Sequence, residues 1–212
     1  MSKTLYYLFD PLCGWCYGAA PAVSALAAAA DIHIEPLPTG LFSGDGARPM
    51  DEAFADYAWS NDQRIERLTG QLFTQRYRTQ VLANRDRLFD SGPATVALTA
   101  VSLTEPKKEL EALKAIQIAR YVDGRDNTDV QTLITVLEQL HLADAATLLE
   151  RRSPELLEAN QARTTRATTW MRELGARGVP TFILESGSRR TLLHASAIYS
   201  DPHALLEQLR AA

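Results

Sequence analysis

The chain has 212 residues, of which 46% are apolar and 23% charged, close to the proportions of an average soluble globular protein. Its formal net charge of −4 is small, and basic residues are spread among acidic ones, which argues against a nucleic-acid-binding face or a basic membrane surface. No apolar run in the sequence approaches the roughly 20 residues that span a bilayer. We therefore expect neither nucleic acid nor a membrane among its partners.

The N-terminal region predicts a βαβ unit. Residues 4–9 are apolar and aromatic, which indicates a strand buried on both faces. The Ala-rich residues 17–30 predict a helix, which Pro21 should bend. Residues 32–37 alternate between apolar and polar side chains and predict a second strand, parallel to the first.

The first ten residues do not have the shape of a secretory signal. A single Lys3 precedes an apolar run of residues 5–9, and that run stops at Asp10. A signal peptide has a longer apolar region that leads to a cleavage site with small residues. We therefore expect a cytoplasmic protein.

A loop rich in Gly and Pro covers residues 38–49, and almost everything from 50 to 175 predicts helix. The predicted helical segments are 50–57, 61–77, 92–103, 107–122, 128–140, 143–150 and 154–174. Four aromatic residues at apolar spacing on these segments should form the core of this helical region, namely Trp59, Phe73, Tyr77 and Trp170.

The C-terminal region returns to strands. Residues 179–184 and 189–194 predict two strands of a hairpin, joined by a tight turn at 186–188. A last amphipathic helix should open at Asp201-Pro202 and present Leu205, Leu206 and Leu209 on one face. Without the middle helices, the predicted elements make a small α/β sheet sandwich.

The two cysteines of the chain, Cys13 and Cys16, lie directly after the first strand, where a helix should begin. The first turn of a helix has unpaired N–H groups and the positive end of the helix dipole, which would stabilise a thiolate at Cys13. A thiolate is the nucleophile of disulfide exchange, and a second thiol one turn later can resolve the mixed disulfide. We predict that Cys13 attacks and that Cys16, the more buried, resolves.

Other interpretations of the cysteine pair are weaker. A structural disulfide would close so short a loop that it would gain little from chain entropy. A zinc site needs two more ligands, whereas the histidines are scattered and no second cysteine pair exists. We expect no metal. Two buried, unreactive cysteines remain an alternative to the redox pair.

Three features near the pair have more than one interpretation. Asp10 could relay a proton during exchange, or could cap the turn that leads to the cysteines. Trp15 could form an apolar rim for a peptide or thiol substrate, or could pack in the first helical turn. Residues 40–46 do not form a phosphate loop, since no Gly-Lys-Ser/Thr follows them.

Cys13-Gly14-Trp15-Cys16 after the first strand, the long helical insertion, and residues 178–182 (Gly-Val-Pro-Thr-Phe) before the third strand resemble the DsbA-like branch of the thioredoxin superfamily. The resemblance covers nearly the whole chain. It implies a thioredoxin-like α/β fold, a central mixed sheet flanked by helices, with a large all-helical insertion. The implied boundaries are 1–38 and 160–212 for the thioredoxin-like domain and 39–159 for the insertion.

The resemblance also implies an activity. The chain should be a thiol–disulfide oxidoreductase or isomerase that acts on protein or small-molecule disulfides, with a cis Val179-Pro180 bond beside Cys13 and substrate contacts from Trp15, Val179 and Pro180. It implies no bound cofactor, although glutathione could serve as reductant or ligand. The loop at 40–46 should border the active site, and the insertion could carry a homodimer surface.

Two comparisons within the superfamily refine this expectation. The periplasmic oxidant of the family has Pro-His between its cysteines where this chain has Gly14-Trp15, which predicts a less oxidising protein. Kappa-class glutathione transferases and 2-hydroxychromene-2-carboxylate isomerases resemble the chain in the insertion and the cis-proline segment, but generally carry Ser in place of Cys13. Ser200-Asp201 matches the position where such relatives hold a γ-glutamyl group, but Asp201 could equally cap the last helix. A glutathione-dependent transferase or isomerase is therefore the alternative function.

Overall fold

A computed structural model of the protein describes residues 3–29, 33–194, 196–199, 205–207 and 209. In chain order the elements are β1 (Lys3–Phe9), α1 (Gly14–Gly18), α2 (Ala20–Ala28), β2 (His33–Pro38), β3 (Arg48–Pro49), α3 (Glu52–Thr69), a π-helix (Tyr77–Leu82), β4 (Leu88–Phe89), α4 (Gly92–Thr104), α5 (Glu109–Tyr121), α6 (Val130–Gln139), α7 (Ala143–Arg151), α8 (Pro154–Leu174), β5 (Thr181–Ser186) and β6 (Arg189–Leu192).

The central sheet is mixed and has the strand order β2-β1-β5-β6. Strand β1 pairs parallel with β2 and antiparallel with β5, so that Leu5 lies between Ile34 and Leu184. Strands β5 and β6 form the expected antiparallel hairpin. Residues on both faces of β1 belong to core clusters, which explains its apolar run from Leu5 to Phe9. The mixed sheet, flanked by helices and carrying a helical insertion, confirms the predicted fold class.

The alternation of side chains along β1 divides the core into two layers. Tyr6 and Leu8 point to one face, where they belong to a small cluster with Trp170 of α8. The Tyr6 and Trp170 rings meet edge to face with their centroids 4.8 Å apart. The prediction that Trp170 belongs to the core of the insertion is therefore wrong, because this residue covers the sheet. Tyr7 and Phe9 point to the other face, into the larger cluster that includes the insertion helices.

The first part of the insertion differs most from the prediction. The predicted segment 50–57 and the first part of the predicted segment 61–77 form one helix, α3, whose N-cap Asp51 accepts a hydrogen bond of 2.7 Å from the Phe54 N–H group. No breaker lies between the two predicted segments, so the helix continues until Gly70, which adopts a left-handed conformation with φ 74°. The predicted helix from 61 to 77 therefore ends earlier than the sequence pattern indicated.

Phe73 lies outside any helix, contrary to the prediction, although its side chain is buried. Tyr77 begins a π-helix instead of ending an α-helix. The short pairing of Arg48 with Phe89, which joins β3 to β4, was not predicted either. The later segments of the insertion agree with the predicted ones to within about two residues at each end.

Pro21 has a stronger effect than the predicted bend. The helical run after the cysteines is divided into α1 and α2, with Ala19 between them. Pro21 lies in the first turn of α2, where its missing N–H group leaves no intrahelical bond unmade. Helix α1 also begins earlier than predicted, at Gly14, so both residues between the cysteines are helical.

Helix α1 packs closely against α3 because two positions on its inner face are glycines. A Cβ atom on Gly14 would overlap the Asp62 carboxylate, and one on Gly18 would lie 2.7 Å from Ile65 Cγ2. Since real Cβ atoms do not approach other atoms so closely, larger side chains would push the two helices apart. Gly14 therefore allows α3 to approach α1 and places Asp62 beside that helix.

At the C-terminal end, strand β5 begins at Thr181, so Pro180 precedes the strand and is not its first residue. Leu205 and Leu209 are helical and buried, as the amphipathic pattern predicts. Ser200, Asp201 and Pro202 lie outside the described residues. The domain boundaries at 38 and 160 stay a prediction. Among the helices that the structure describes, none combines the length and apolar character needed to cross a membrane.

Candidate active site

Cys13 lies where β1, α1 and the segment before β5 meet. It is the N-cap residue of α1, and its N–H group donates a hydrogen bond of 3.1 Å to the Asp10 carbonyl oxygen. Its Sγ atom lies 3.6 Å from the Val179 carbonyl oxygen. The Val179-Pro180 peptide bond is cis, as the resemblance implied. The fold thus brings together Cys13 and the distant Val179-Pro180 segment.

Cys16 lies behind Cys13, and the two thiols are close but not bonded. Cys16 is fully buried, whereas 8% of the Cys13 surface is exposed. Burial raises the pKa of the Cys16 thiol well above its usual value, and its hydrogen bond with Cys13 raises that pKa further. Cys16 is therefore protonated at neutral pH and shielded from solvent, in agreement with the predicted difference in burial.

Asp10 is a fully buried carboxylate that holds three segments together. Its Oδ1 atom accepts a hydrogen bond from Leu12 N (2.9 Å), and Oδ2 accepts from Phe42 N (3.1 Å) and from Ser91 Oγ (2.7 Å). Burial raises the pKa of Asp10 to about 6, although these hydrogen bonds lower it. The capping interpretation is confirmed, and the same carboxylate also fixes the 40–46 loop and the start of α4.

Two clefts meet at Trp15. The first has a volume of about 670 Å³ and runs along the cis-proline side, where its lining includes Val179, Pro180 and Tyr199. Trp15 packs there with its ring edge-on to Tyr199, at a centroid distance of 5.1 Å. Trp15 is half-buried and lines both clefts, so it packs in the first helical turn and also forms part of the rim.

The second cleft has a volume of about 430 Å³ and lies between α1, α3 and the 40–46 loop. Cys13, Gly14, Leu41, Phe42 and Asp62 are among the residues that line it. The loop therefore borders the cleft that Cys13 lines, as expected of a loop beside the predicted active site. The lining combines aromatic walls with one buried acid.

A larger cavity of about 800 Å³ lies between β2, α5 and α8, and neither cysteine lines it. Four of the charged side chains that line it form two ion pairs. Arg163 forms an ion pair with Glu109 and donates a hydrogen bond of 2.9 Å to the Pro36 carbonyl oxygen, while Arg166 pairs with Glu35. Size alone therefore does not identify the reactive site, which we assign to the smaller clefts beside Cys13.

Asp62 is a residue of the site that sequence analysis did not find. It is 5% exposed, and its Oδ2 atom accepts a hydrogen bond of 2.9 Å from the Tyr77 hydroxyl. Burial raises the pKa of Asp62 to about 7, against the lowering effects of Tyr77 and Arg120. A signal was present in the sequence, because Asp62 occupies the same helical face as Trp59 and Ile65. An acidic residue on the buried face of an amphipathic helix is rare unless it is paired, so its position marks a candidate functional residue.

Comparisons with known proteins agree with this geometry. A family model described as a DSBA-like thioredoxin domain matches residues 4–205. A search of curated proteins found no match.

Among solved structures, the chain is similar to the cytosolic disulfide reductase DsbM from Pseudomonas aeruginosa, with 33% identity, a TM-score of 0.87, and coverage of 99% of this chain and 100% of that one. DsbM with GSH gives 30% identity, a TM-score of 0.85 and the same coverage. A candidate protein disulfide isomerase from Nitrosomonas europaea is 26% identical, with a TM-score of 0.84 and coverage of 100% and 97%. A 2-hydroxychromene-2-carboxylate isomerase shares the fold. It is 17% identical, with a TM-score of 0.61 and coverage of 98% of this chain and 97% of that one.

Proposed function

We propose that this chain, which belongs to the DsbA-like thioredoxin domain family, reduces disulfides. Cys13 is the attacking thiol and Cys16 is the resolving thiol. The observation that carries this proposal is the arrangement of the two sulfurs. Cys13 lines a cleft and lies 3.6 Å from the Val179 carbonyl oxygen, while Cys16 is fully buried behind it. A substrate disulfide can therefore approach Cys13, and Cys16 is reserved for the second step.

The reaction is two successive thiol–disulfide exchanges. The Cys13 thiolate attacks one sulfur of the substrate disulfide, the substrate S–S bond breaks, and the other sulfur leaves with the electron pair. Cys16 then loses its proton and attacks Cys13 Sγ, which releases the second substrate thiol. The pair is left as a disulfide and two electrons have passed to the substrate. Residues three apart on a helix share a face, so Cys16 reaches Cys13 without unfolding α1.

Glutathione is the reductant that we propose for regenerating the pair. The similar protein DsbM is named a cytosolic disulfide reductase and has been solved with GSH. Two molecules of glutathione would supply the two electrons and leave as glutathione disulfide. Neither Gly14 nor Trp15 brings a positive charge to Cys13, which favours the reducing direction over the oxidising one. The cytoplasm, where glutathione keeps thiols reduced, is the compartment that suits this activity.

The rim of the clefts favours substrates with apolar side chains near the disulfide. Three large apolar residues line the clefts and remain exposed: Leu41 (43%), Tyr57 (67%) and Leu68 (53%). Exposed apolar residues grouped at a site are typical of contact surfaces for a partner or ligand. Trp15, Val179 and Pro180 would contact the substrate on the cis-proline side. We propose protein and peptide disulfides, together with small-molecule disulfides, as the substrates.

The proposed function can be tested by assaying the reduced protein on insulin, with glutathione, glutathione reductase and NADPH to measure turnover. We expect catalytic NADPH consumption that depends on both insulin and the protein, and none after alkylation of Cys13, the cysteine with exposed surface. The same preparation should not accelerate conjugation of glutathione to 1-chloro-2,4-dinitrobenzene. Conjugation without disulfide reduction would contradict the proposal and would favour a glutathione-dependent transferase.

A further inference from the structure

Asp62 reaches the active-site turn from the insertion. Its Oδ2 atom is held by the Tyr77 hydroxyl at 2.9 Å, and its Oδ1 atom stands against Gly14, where a Cβ would overlap it. Gly14 directly follows Cys13, and Asp62 and Cys13 line the same 430 Å³ cleft. A buried carboxyl group is thus fixed within the cleft that holds the attacking thiol.

The position of the cis-proline segment suggests what this cleft receives. The Val179 carbonyl oxygen lies 3.6 Å from Cys13 Sγ on the cis-proline side. The cleft that runs along Pro180 lies on that same side. If the half of the substrate that joins Cys13 binds along the cis-proline side, the cleft that Cys13 and Asp62 line together is the space left for the leaving half.

We propose that Asp62 is the proton donor to the leaving sulfur, an assignment that rests on the proposed function. When the Cys13 thiolate attacks, the electron pair of the broken S–S bond passes to the leaving sulfur, and the Asp62 carboxyl group gives that sulfur a proton. The products are the mixed disulfide on Cys13, a neutral thiol and the Asp62 carboxylate, which regains from solvent the proton that the Cys13 thiol released when its thiolate formed. The substrates that need this acid are disulfides of alkyl thiols, whose basic thiolates are poor leaving groups.

The surroundings of Asp62 keep this acid available near neutral pH. Burial raises its pKa to about 7, so a large fraction of the carboxyl groups carries a proton below that pH. The titratable and charged groups that face it from neighbouring elements are the Cys13 thiol, Arg48, Tyr77, Arg120 and Tyr121. Arg120 and the Tyr77 hydrogen bond oppose the effect of burial, and both lower the pKa.

A purely structural role would make Asp62 the countercharge of Arg120. That arginine is 1% exposed, donates a hydrogen bond of 3.1 Å to Asn127 Oδ1, and lies 5.4 Å from the centre of the Tyr77 ring. Loss of a countercharge would disturb the fold and slow every substrate alike. Loss of a proton donor slows only those substrates whose leaving group needs the proton, which separates the two roles.

The test compares two disulfides with the Asp62→Asn variant, which keeps the size of the side chain but cannot supply the proton. Glutathione disulfide releases a basic alkyl thiolate, and 5,5′-dithiobis(2-nitrobenzoate) releases an aromatic thiolate that leaves unaided. At about pH 6 we expect the variant to react with glutathione disulfide slower by roughly tenfold or more. Its rate with the aromatic disulfide should change by less than about twofold, because a low-pKa thiol leaves without an acid.

Asp56→Asn serves as the matched control, since it makes the same chemical change on α3 at an exposed position outside the lining of the cleft. This control should leave the ratio of the two rates unchanged. Equal slowing of both disulfides by Asp62→Asn, or no slowing of either, would overturn the proposal. Failure of the wild-type protein to react with either disulfide would instead reject the proposed function.

A second variant keeps the test decisive if Asp62→Asn is poorly folded. Tyr77→Phe removes the hydrogen bond that lowers the pKa of Asp62, so that pKa should rise. In the wild-type protein, the rate with glutathione disulfide divided by the rate with the aromatic disulfide should fall as pH rises through about 7, where Asp62 loses its proton. The fall should move to higher pH in Tyr77→Phe, and an unmoved fall would overturn the proposal.

Discussion

Cys13→Ser should lower the turnover of disulfide reduction to the uncatalysed background, whereas Cys16→Ser should still carry out the first exchange. Cys13 is the sulfur that lines the open cleft, and Cys16 has no exposed surface from which to attack a substrate. A serine hydroxyl at position 13 does not form the anion that attacks sulfur at neutral pH. The measurement is the glutathione-coupled insulin assay for both variants, with a pre-steady-state trace of thiol release.

Cys16→Ser is the matched control, because both variants make the same chemical change within one helical turn. We expect this variant to release one equivalent of substrate thiol and then to stop or turn over slowly. Activity that survives Cys13→Ser would show that the assignment of the nucleophile is wrong. Full glutathione-dependent turnover in Cys16→Ser would favour the transferase or isomerase alternative, which needs one reactive position.

Asp10→Ala should destabilise the fold by at least about 3 kcal/mol, because it leaves three donors, two of them buried, without their acceptor. The donors are the N–H groups of Leu12 and Phe42 and the hydroxyl group of Ser91. Asp10→Asn should have an intermediate effect, since its amide oxygen can replace Oδ1 but its NH₂ group cannot accept the Phe42 hydrogen bond. The measurement is the free energy of unfolding in urea.

The effect of Asp10→Ala should also depend on pH. Burial raises the pKa of Asp10 to about 6 in the folded protein, above the value near 3.9 of an unfolded chain. The folded state therefore binds the proton more tightly, and this stabilisation is complete below about pH 4 and is lost as pH rises through about 6. The penalty for Asp10→Ala should be larger by roughly 1 kcal/mol at about pH 5 than at about pH 8. A penalty that grows with pH would contradict the account of this carboxyl group.

The features that depend on neighbouring residues in the chain could be predicted from the sequence. The apolar run of residues 5–9 predicts a buried strand and the cysteines after it predict the start of a helix, although α1 begins at Gly14 and not at residue 17. The cis bond at Val179-Pro180 could not be derived from its own sequence, and only the resemblance implied it. The difference in burial between the cysteines follows from the helix, since one turn carries Cys16 inward.

The remaining features depend on packing between distant segments. The apolar face of α8 could be predicted, but the sequence pattern does not show whether Trp170 faces the insertion or the sheet. The pattern of α3 contains Asp62, yet its closeness to Cys13 requires the contact of that helix with Gly14. The same limit applies to Asp10, whose capping role was foreseen while its bonds to Phe42 and Ser91 were not.

The most direct measurement of the central claim is mass spectrometry of a trapped intermediate. Cys16→Ser, reduced and then mixed with a disulfide-bonded peptide, should form one mixed disulfide per chain, and digestion should place it on Cys13. Under the same conditions Cys13→Ser should remain unmodified, because Cys16 is fully buried. A peptide adduct on Cys16 of the Cys13→Ser variant, or no adduct on Cys13 of the Cys16→Ser variant, would contradict the account.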